Sequence, residues 1–187
     1  FSFDLTLSVA PPARPRSPAA APDASAAPAE AAPAFAPAPL VGSVGDGALR
    51  VFIADDLGMN RQVLKLQLRK FLERPEFIEC ATGEEALASL MAGVEDTDGR
   101  FDVAFIDEIY GMEPMRGLDI TRQVRAAGVL SRAGELLPIV GCTGNEGPEH
   151  NAIAHSAGQN LVFGKPTPNI EQMRRQLSEI LSLAPAM

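Results

Sequence analysis

Five side chains are notable for where they fall in the chain. Asp55 and Asp56 follow the apolar run LRVFIA, Asp107 follows DVAFI, Thr143 follows LPIVGC, and Lys165 stands one glycine after LVF and just before Pro166. A single Asp at such a place is usually a helix cap or a solvated loop residue. All five together point instead to one shared site. Carboxylates gathered in a low-dielectric cleft repel one another and require a cation. Oxygen ligands at that charge density suit Mg²⁺, which keeps part of its water shell and accepts further oxygen from phosphate.

Whether the five meet depends on the elements that carry them. LRVFIA (Leu49–Ala54), EFIEC (Glu76–Cys80), DVAFI (Asp102–Ile106), LPIVGC (Leu137–Cys142) and LVF (Leu161–Phe163) read as strands. DVAFI is almost wholly apolar, as expected of a parallel strand buried on both faces. Helical spacing fills the intervals. Leu64, Leu68, Phe71 and Leu72 share a face of the first helix, and Gly83–Met91 forms the second. GLDITRQVRAAG is the third, ending on Gly128 as a left-handed cap would require. Pro148–Ala157 is the fourth, and Ile170, Met173, Leu177, Ile180 and Leu181 stripe the last. This alternation predicts a three-layer α/β domain with a mostly parallel sheet over residues 49–187. Ligands of such domains bind beyond the carboxyl ends of the strands, where all five side chains would stand.

Composition narrows the function classes. A formal charge of −8 and a sequence pI near 4.8 oppose nucleic-acid binding, which selects clustered Lys and Arg. No apolar stretch approaches the roughly 20 residues that span a bilayer, so no membrane contact by this segment is expected. Cys80 and Cys142 have neither a CxxC partner nor metal-ligand spacing with His150 or His155, and read as buried reduced thiols of an intracellular, cytoplasmic protein. The two histidines read as surface or helix-packing residues. The chain begins at Phe1 without Met or a charged n-region, so it reads as a fragment or processed chain without a signal peptide.

Residues 8–48 read as a disordered linker, because the Ala- and Pro-rich stretch from Ala10 to Leu40 breaks helices and buries little area. GSVGDG (Gly42–Gly47) extends the linker and is no phosphate loop, having no strand before it and no Lys-Ser or Lys-Thr after it. FSFDLTL (Phe1–Leu7) alternates as one half-buried strand, which is unstable without partners.

Residues 49–187 resemble the CheY-like receiver domains of two-component response regulators. The resemblance rests on VFIADDLGMNRQVL, DVAFID, PIVGCTGN and AGQNLVFGKP, in that order and spacing. It implies a flavodoxin-like (βα)5 fold with strand order 2-1-3-4-5. It also implies that Asp107 accepts a phosphoryl group from a phosphohistidine, carried by a histidine-phosphotransfer protein or a histidine-kinase phosphodonor domain. Asp56 would ligate Mg²⁺ directly, Asp55 directly or through water, and the Ile109 backbone carbonyl would be the third protein ligand. Lys165 would pair with Asp107 before transfer and with the phosphoryl group afterwards. The Thr143 hydroxyl would donate to a phosphoryl oxygen and switch the face made by the fourth helix, fifth strand and fifth helix.

Several residues depart from the family pattern. The loop EIYGMEPMRG reaches its glycine about two residues late, so roles do not transfer from Tyr110 to Arg116. Tyr110, in the loop, reads as a side chain that simply packs or solvates. Val162 occupies the usual aromatic switch position, and Phe163 beside it reads as packing under a helix. Gly144 would leave the phosphoryl group accessible, whereas apolar Ile109 would disfavour placement of a hydrolytic water.

Two rival readings remain at this point. A Mg²⁺-dependent phosphatase or phosphotransferase with an aspartyl nucleophile would prefer a second acid where Ile109 stands. A pseudo-receiver that binds partners without phosphorylation would not need all five rim residues. FSFDLTL resembles the last strand of a histidine-kinase ATPase domain, which implies the C-terminal part of a hybrid histidine kinase. The ATP-binding glycines and phosphodonor His of such a kinase are not in this chain.

Overall fold

A computed structural model describes residues 48–112, 114–145 and 147–181. The strand expected at 1–7 and nearly all of the linker expected at 8–48 lie outside the described residues.

Strands and helices alternate along the chain: β1 (Arg50–Ala54), α1 (Gly58–Leu68), β2 (Glu76–Cys80), α2 (Gly83–Ala92), β3 (Val103–Asp107), α3 (Gly117–Ala126), β4 (Ile139–Thr143), α4 (Pro148–Ala157), β5 (Leu161–Gly164) and α5 (Ile170–Leu181). The strands form one parallel sheet in the order β2-β1-β3-β4-β5, the flavodoxin-like arrangement expected from the sequence. Among the described residues, no helix is long and apolar enough to cross a membrane.

Successive residues of a strand face opposite ways, so an apolar strand in the middle of the sheet feeds two cores. Val103 and Phe105 of β3 join Val51, Ile53, Leu64, Leu68, Met173 and Leu177 on the α1 and α5 side. Ala104 and Ile106 join Phe52, Ala86, Leu90, Ile120 and Val124 on the other side, against α2 and α3. Each large apolar side chain buried here contributes about 1.5–3 kcal/mol relative to exposure. Because β3 is gripped from both faces, the residue at its carboxyl end is held where the strand puts it.

The chain punctuates these elements with few devices. Thr82 Oγ1 accepts from Glu85 N at 3.2 Å and caps α2. Pro148 starts α4, where a missing N–H costs nothing. Gly128 follows α3 at φ +66°, the left-handed conformation expected of it. The first helix is shorter than its apolar pattern suggested. Phe71 and Leu72 are buried in the core but lie beyond α1, in a turn closed by Phe71 N to Leu68 O at 3.1 Å and Leu72 N to Leu68 O at 2.9 Å.

One buried polar side chain was not foreseen. Gln159, in the turn between α4 and β5, is buried, and its Nε2 donates to Thr121 Oγ1 at 3.4 Å. It fits because β4 has no side chain opposite: a Cβ on Gly141 would lie 2.0 Å from Gln159 Oε1.

Candidate functional site

The sheet brings the five sequence-nominated side chains to one rim. Asp55 and Asp56 follow β1, Asp107 and Thr143 are the last residues of β3 and β4, and Lys165 follows β5. Register aligns them: Asp107 pairs with Cys142, Thr143 pairs with Gly164, and Lys165 N donates to Thr143 O at 2.8 Å. The carboxylates of Asp55, Asp56 and Asp107 each place an oxygen within 4.8 Å of the others.

Lys165 is the counter-ion of this cluster. Its Nζ lies 2.8 Å from Asp55 Oδ2 and 2.8 Å from Asp107 Oδ1. Asp107 Oδ1 also accepts from Glu108 N at 2.8 Å. Burial raises the Asp107 carboxyl above its ordinary range and the Asp55 charge adds to this, outweighing the pull of Lys165. Burial alone would lower the Lys165 ammonium, but its hydrogen bonds to Asp107 and Asp55 hold it above its ordinary value. The raised Lys165 value favours its charged, paired form, whereas the raised Asp107 value reflects the cost of keeping that carboxylate ionised in the cleft.

A cleft of about 450 Å³ opens on this rim, lined by Asp56, Asp107, Ile109, Thr143, Lys165 and His150 among others. Thr143 is nearly inaccessible, and its Oγ1 accepts from Asn145 N at 3.0 Å, which leaves the hydroxyl proton free to donate elsewhere. Ile109 is 52% exposed at the cleft wall, and an isolated antiparallel bridge to Arg116 closes the loop behind it. The donor set, three carboxylates with Lys165 between two of them, fits an oxygen-liganded divalent cation.

Three neighbours of the site, Asn60, Arg61 and Glu108, were not singled out by sequence. Asn60 Nδ2 donates to both carboxylate oxygens of Asp55 at 3.1 Å, and Arg61 donates to the Asp55 carbonyl. The two residues sat inside the first motif, one helical turn past the acids, where a side chain can reach back to the strand end. Glu108, half-buried beside Asp107, is pushed up to about 7 by burial and then by the charges of Asp107 and Asp119. His150, expected on the surface or in helix packing, lies in the first turn of α4 on the cleft. His155 is exposed, as expected of a surface residue, with Nδ1 2.9 Å from Gln159 O.

Tyr110 packs, one of the two outcomes the sequence left open. It is 1% exposed rather than solvated, and its hydroxyl donates to Ala54 O at 3.4 Å, fastening the loop after Asp107 to the end of β1. The loop folds inward because the ring enters the α2 and α3 core with Ile106 and Ile120. Phe163 is buried, its ring centroid 6.2 Å from that of Phe105, as expected of an aromatic under a helix.

No protein-family model and no curated protein matches the sequence. Solved structures do. The chemotaxis protein CheY4 of Vibrio cholerae superposes with a TM-score of 0.55 at 26% identity, over 71% of this chain and 98% of that one. The receiver domain of the Arabidopsis thaliana histidine kinase CKI1, complexed with Mg²⁺ and BeF₃⁻, gives 0.58 at 26% identity, over 72% and 90%. The receiver domain of the sensor histidine kinase PA1611 from Pseudomonas aeruginosa, with magnesium in its active-site cleft, shares the fold at a TM-score of 0.54 and 20% identity, over 72% and 98%. With strand order, rim residues and these likenesses in agreement, the described part of the chain has the fold of the CheY-like receiver domains of response regulators and histidine kinases.

Proposed function

We propose that this domain is the phosphoacceptor of a two-component phosphorelay, with Asp107 taking the phosphoryl group. The observation that carries the reading is Lys165 Nζ at 2.8 Å from both Asp55 and Asp107, beside Asp56 and on a cleft that Thr143 also lines. An Asp107 carboxylate oxygen attacks phosphorus, the donor's P–N bond breaks as the O–P bond forms, and the donor imidazole leaves. Mg²⁺, held by Asp56, Asp107 and the Ile109 carbonyl with Asp55 nearby, would offset charge on the transferring oxygens. Lys165 releases Asp107 Oδ1 to the incoming group and keeps its charge next to the phosphoryl oxygens. Thr143 turns its free hydroxyl proton toward a phosphoryl oxygen. That turn biases the packing of α4, β5 and α5, the output of the switch.

The phosphodonor is a histidine-phosphotransfer protein or the donor domain of a histidine kinase. Leu57, Met59, Val63 and Leu66 are exposed along α1 and the loop before it, an apolar stripe beside the cleft that suits a helical donor. The strand-like FSFDLTL and the likeness to receiver domains of histidine kinases support placement in the C-terminal part of a hybrid kinase, on the cytoplasmic side where such donors act. A phosphatase acting on outside substrates would want an acid where apolar Ile109 lines the cleft.

Intact-mass measurement after treatment with acetyl phosphate and Mg²⁺ tests the acceptor. Wild type should gain one phosphoryl group and Asp107→Asn none. An unmodified wild type, or equal gain by the variant, overturns the assignment.

A further inference from the structure

Asp55 and Asp56 are neighbours in sequence but face different spaces. Asp56 lines the cleft with Asp107 and Thr143, whereas Asp55 lines a separate cavity of about 190 Å³ with Asn60, Val63, Gln67 and Pro166. Of the three groups bonded to the Asp55 carboxylate, Asn60 lines only that second cavity, Leu57 lines the cleft, and Lys165 lines both. Oδ1 accepts from Leu57 N at 2.9 Å and from Asn60 Nδ2 at 3.1 Å; Oδ2 accepts from the same Asn60 Nδ2 at 3.1 Å and from Lys165 Nζ at 2.8 Å. Its backbone is held as well, because the Arg61 guanidinium that binds the Asp55 carbonyl is itself paired with Glu79 of β2 at 3.1 Å.

Of these partners, Leu57 N is fixed by the turn, and Lys165 divides its attention with Asp107. Asn60 alone spans both oxygens of the one carboxylate, from the first turn of α1. Without it, the carboxylate keeps only Leu57 N and Lys165 Nζ, both from residues that line the cleft, where one of its oxygens already lies within 4.8 Å of oxygens on Asp56 and Asp107.

We propose that Asn60 is a positioning residue that gives the two adjacent acids different work: its amide holds Asp55 on Lys165, and Asp56 is left as the acid that the cleft presents to a divalent cation. The proposal rests on the phosphoacceptor reading above. Removing the amide frees a carboxylate to join the oxygen set, and each added carboxylate raises the attraction for a divalent ion. Loss of a merely structural contact would instead lower stability and leave metal affinity where it was or weaken it.

The test is Mg²⁺ titration of the full chain by calorimetry, without any phosphodonor, on wild type, Asn60→Leu, Asp55→Asn, Asp56→Asn and the Asn60→Leu/Asp55→Asn double variant. Asn60→Leu should bind Mg²⁺ roughly three- to tenfold more tightly, and the gain should vanish in the double variant, since it comes through Asp55. Unchanged or weaker binding by Asn60→Leu, or tightening that survives without Asp55, overturns the proposal. Should Asn60→Leu fail to fold, the single acid variants decide: Asp56→Asn should lose at least about tenfold more affinity than Asp55→Asn, and equal losses overturn it. A wild type that takes up no Mg²⁺ would fail the phosphoacceptor reading itself, and this inference with it.

Discussion

Gly117 stands directly against the carbonyl of Asp107: a Cβ added to Gly117 would lie 2.2 Å from that oxygen. The approach is one of backbone to backbone, with Gly117 N also bonded to Glu108 O at 3.2 Å, so neither side can yield by turning a side chain. Gly117→Ala should therefore cost about 1–3 kcal/mol or more. It should also displace Asp107. Urea midpoints will show the first effect, and slower phosphorylation by acetyl phosphate at saturating Mg²⁺ the second.

Removing Lys165 leaves two buried carboxylates facing each other without their shared ammonium. In metal-free buffer, Lys165→Ala should lower stability by about 1–3 kcal/mol, the lysine being partly exposed. Mg²⁺ should restore part of this loss. Thermal melting with and without the ion checks the prediction, and a deficit unaffected by Mg²⁺ would contradict it.

Ile109 offers only hydrocarbon at the cleft wall, where an amide could hold a water in line with the O–P bond. Ile109→Asn should shorten the lifetime of the phosphorylated domain several-fold. The decay of the phosphorylated mass with time measures it, and an equal or longer lifetime would refute the role given to Ile109.

Tyr110 is the chain's one tyrosine and there is no tryptophan, so its absorbance can be followed alone. Burial, and then the charge of Asp107, push its phenol well above the ordinary 10.0. Burial likewise pushes the Cys142 thiol from 9.0 up to about 12. Both groups stay protonated in the folded chain at pH values where the unfolded chain has lost those protons. Stability is therefore fully present below about 9 and falls as pH rises toward 12. Phenolate absorbance should appear together with loss of helical circular dichroism, not ahead of it. Ionisation of a still-folded chain near pH 10 would show that Tyr110 is not buried as described.

The strands were legible because β3 and β4 feed two cores and so read as unbroken apolar runs. Their terminal polar residues were legible for the same reason: Asp107 and Thr143 interrupt a pattern that leaves no other cause for them. The fourth helix was bounded by Pro148 and Gly158, whose backbone preferences act locally. Asn60 was not legible as a partner of Asp55, because that bond depends on the angle at which α1 leaves the strand. Tyr110 was left open between packing and solvation for a related reason. An aromatic residue in a polar loop looks solvated until the packing of α2 and α3 supplies a place for its ring. Gln159 is intelligible only with Gly141, from a different element, in view.

The salt link at the heart of the cleft also fixes a charge inventory. Three clustered carboxylates against one ammonium leave two negative charges when all are ionised. One divalent ion brings the group to electroneutrality, which a monovalent ion cannot do at the same stoichiometry. Selection for valence is thus written into the count of side chains at the strand ends, before coordination geometry has any part in it.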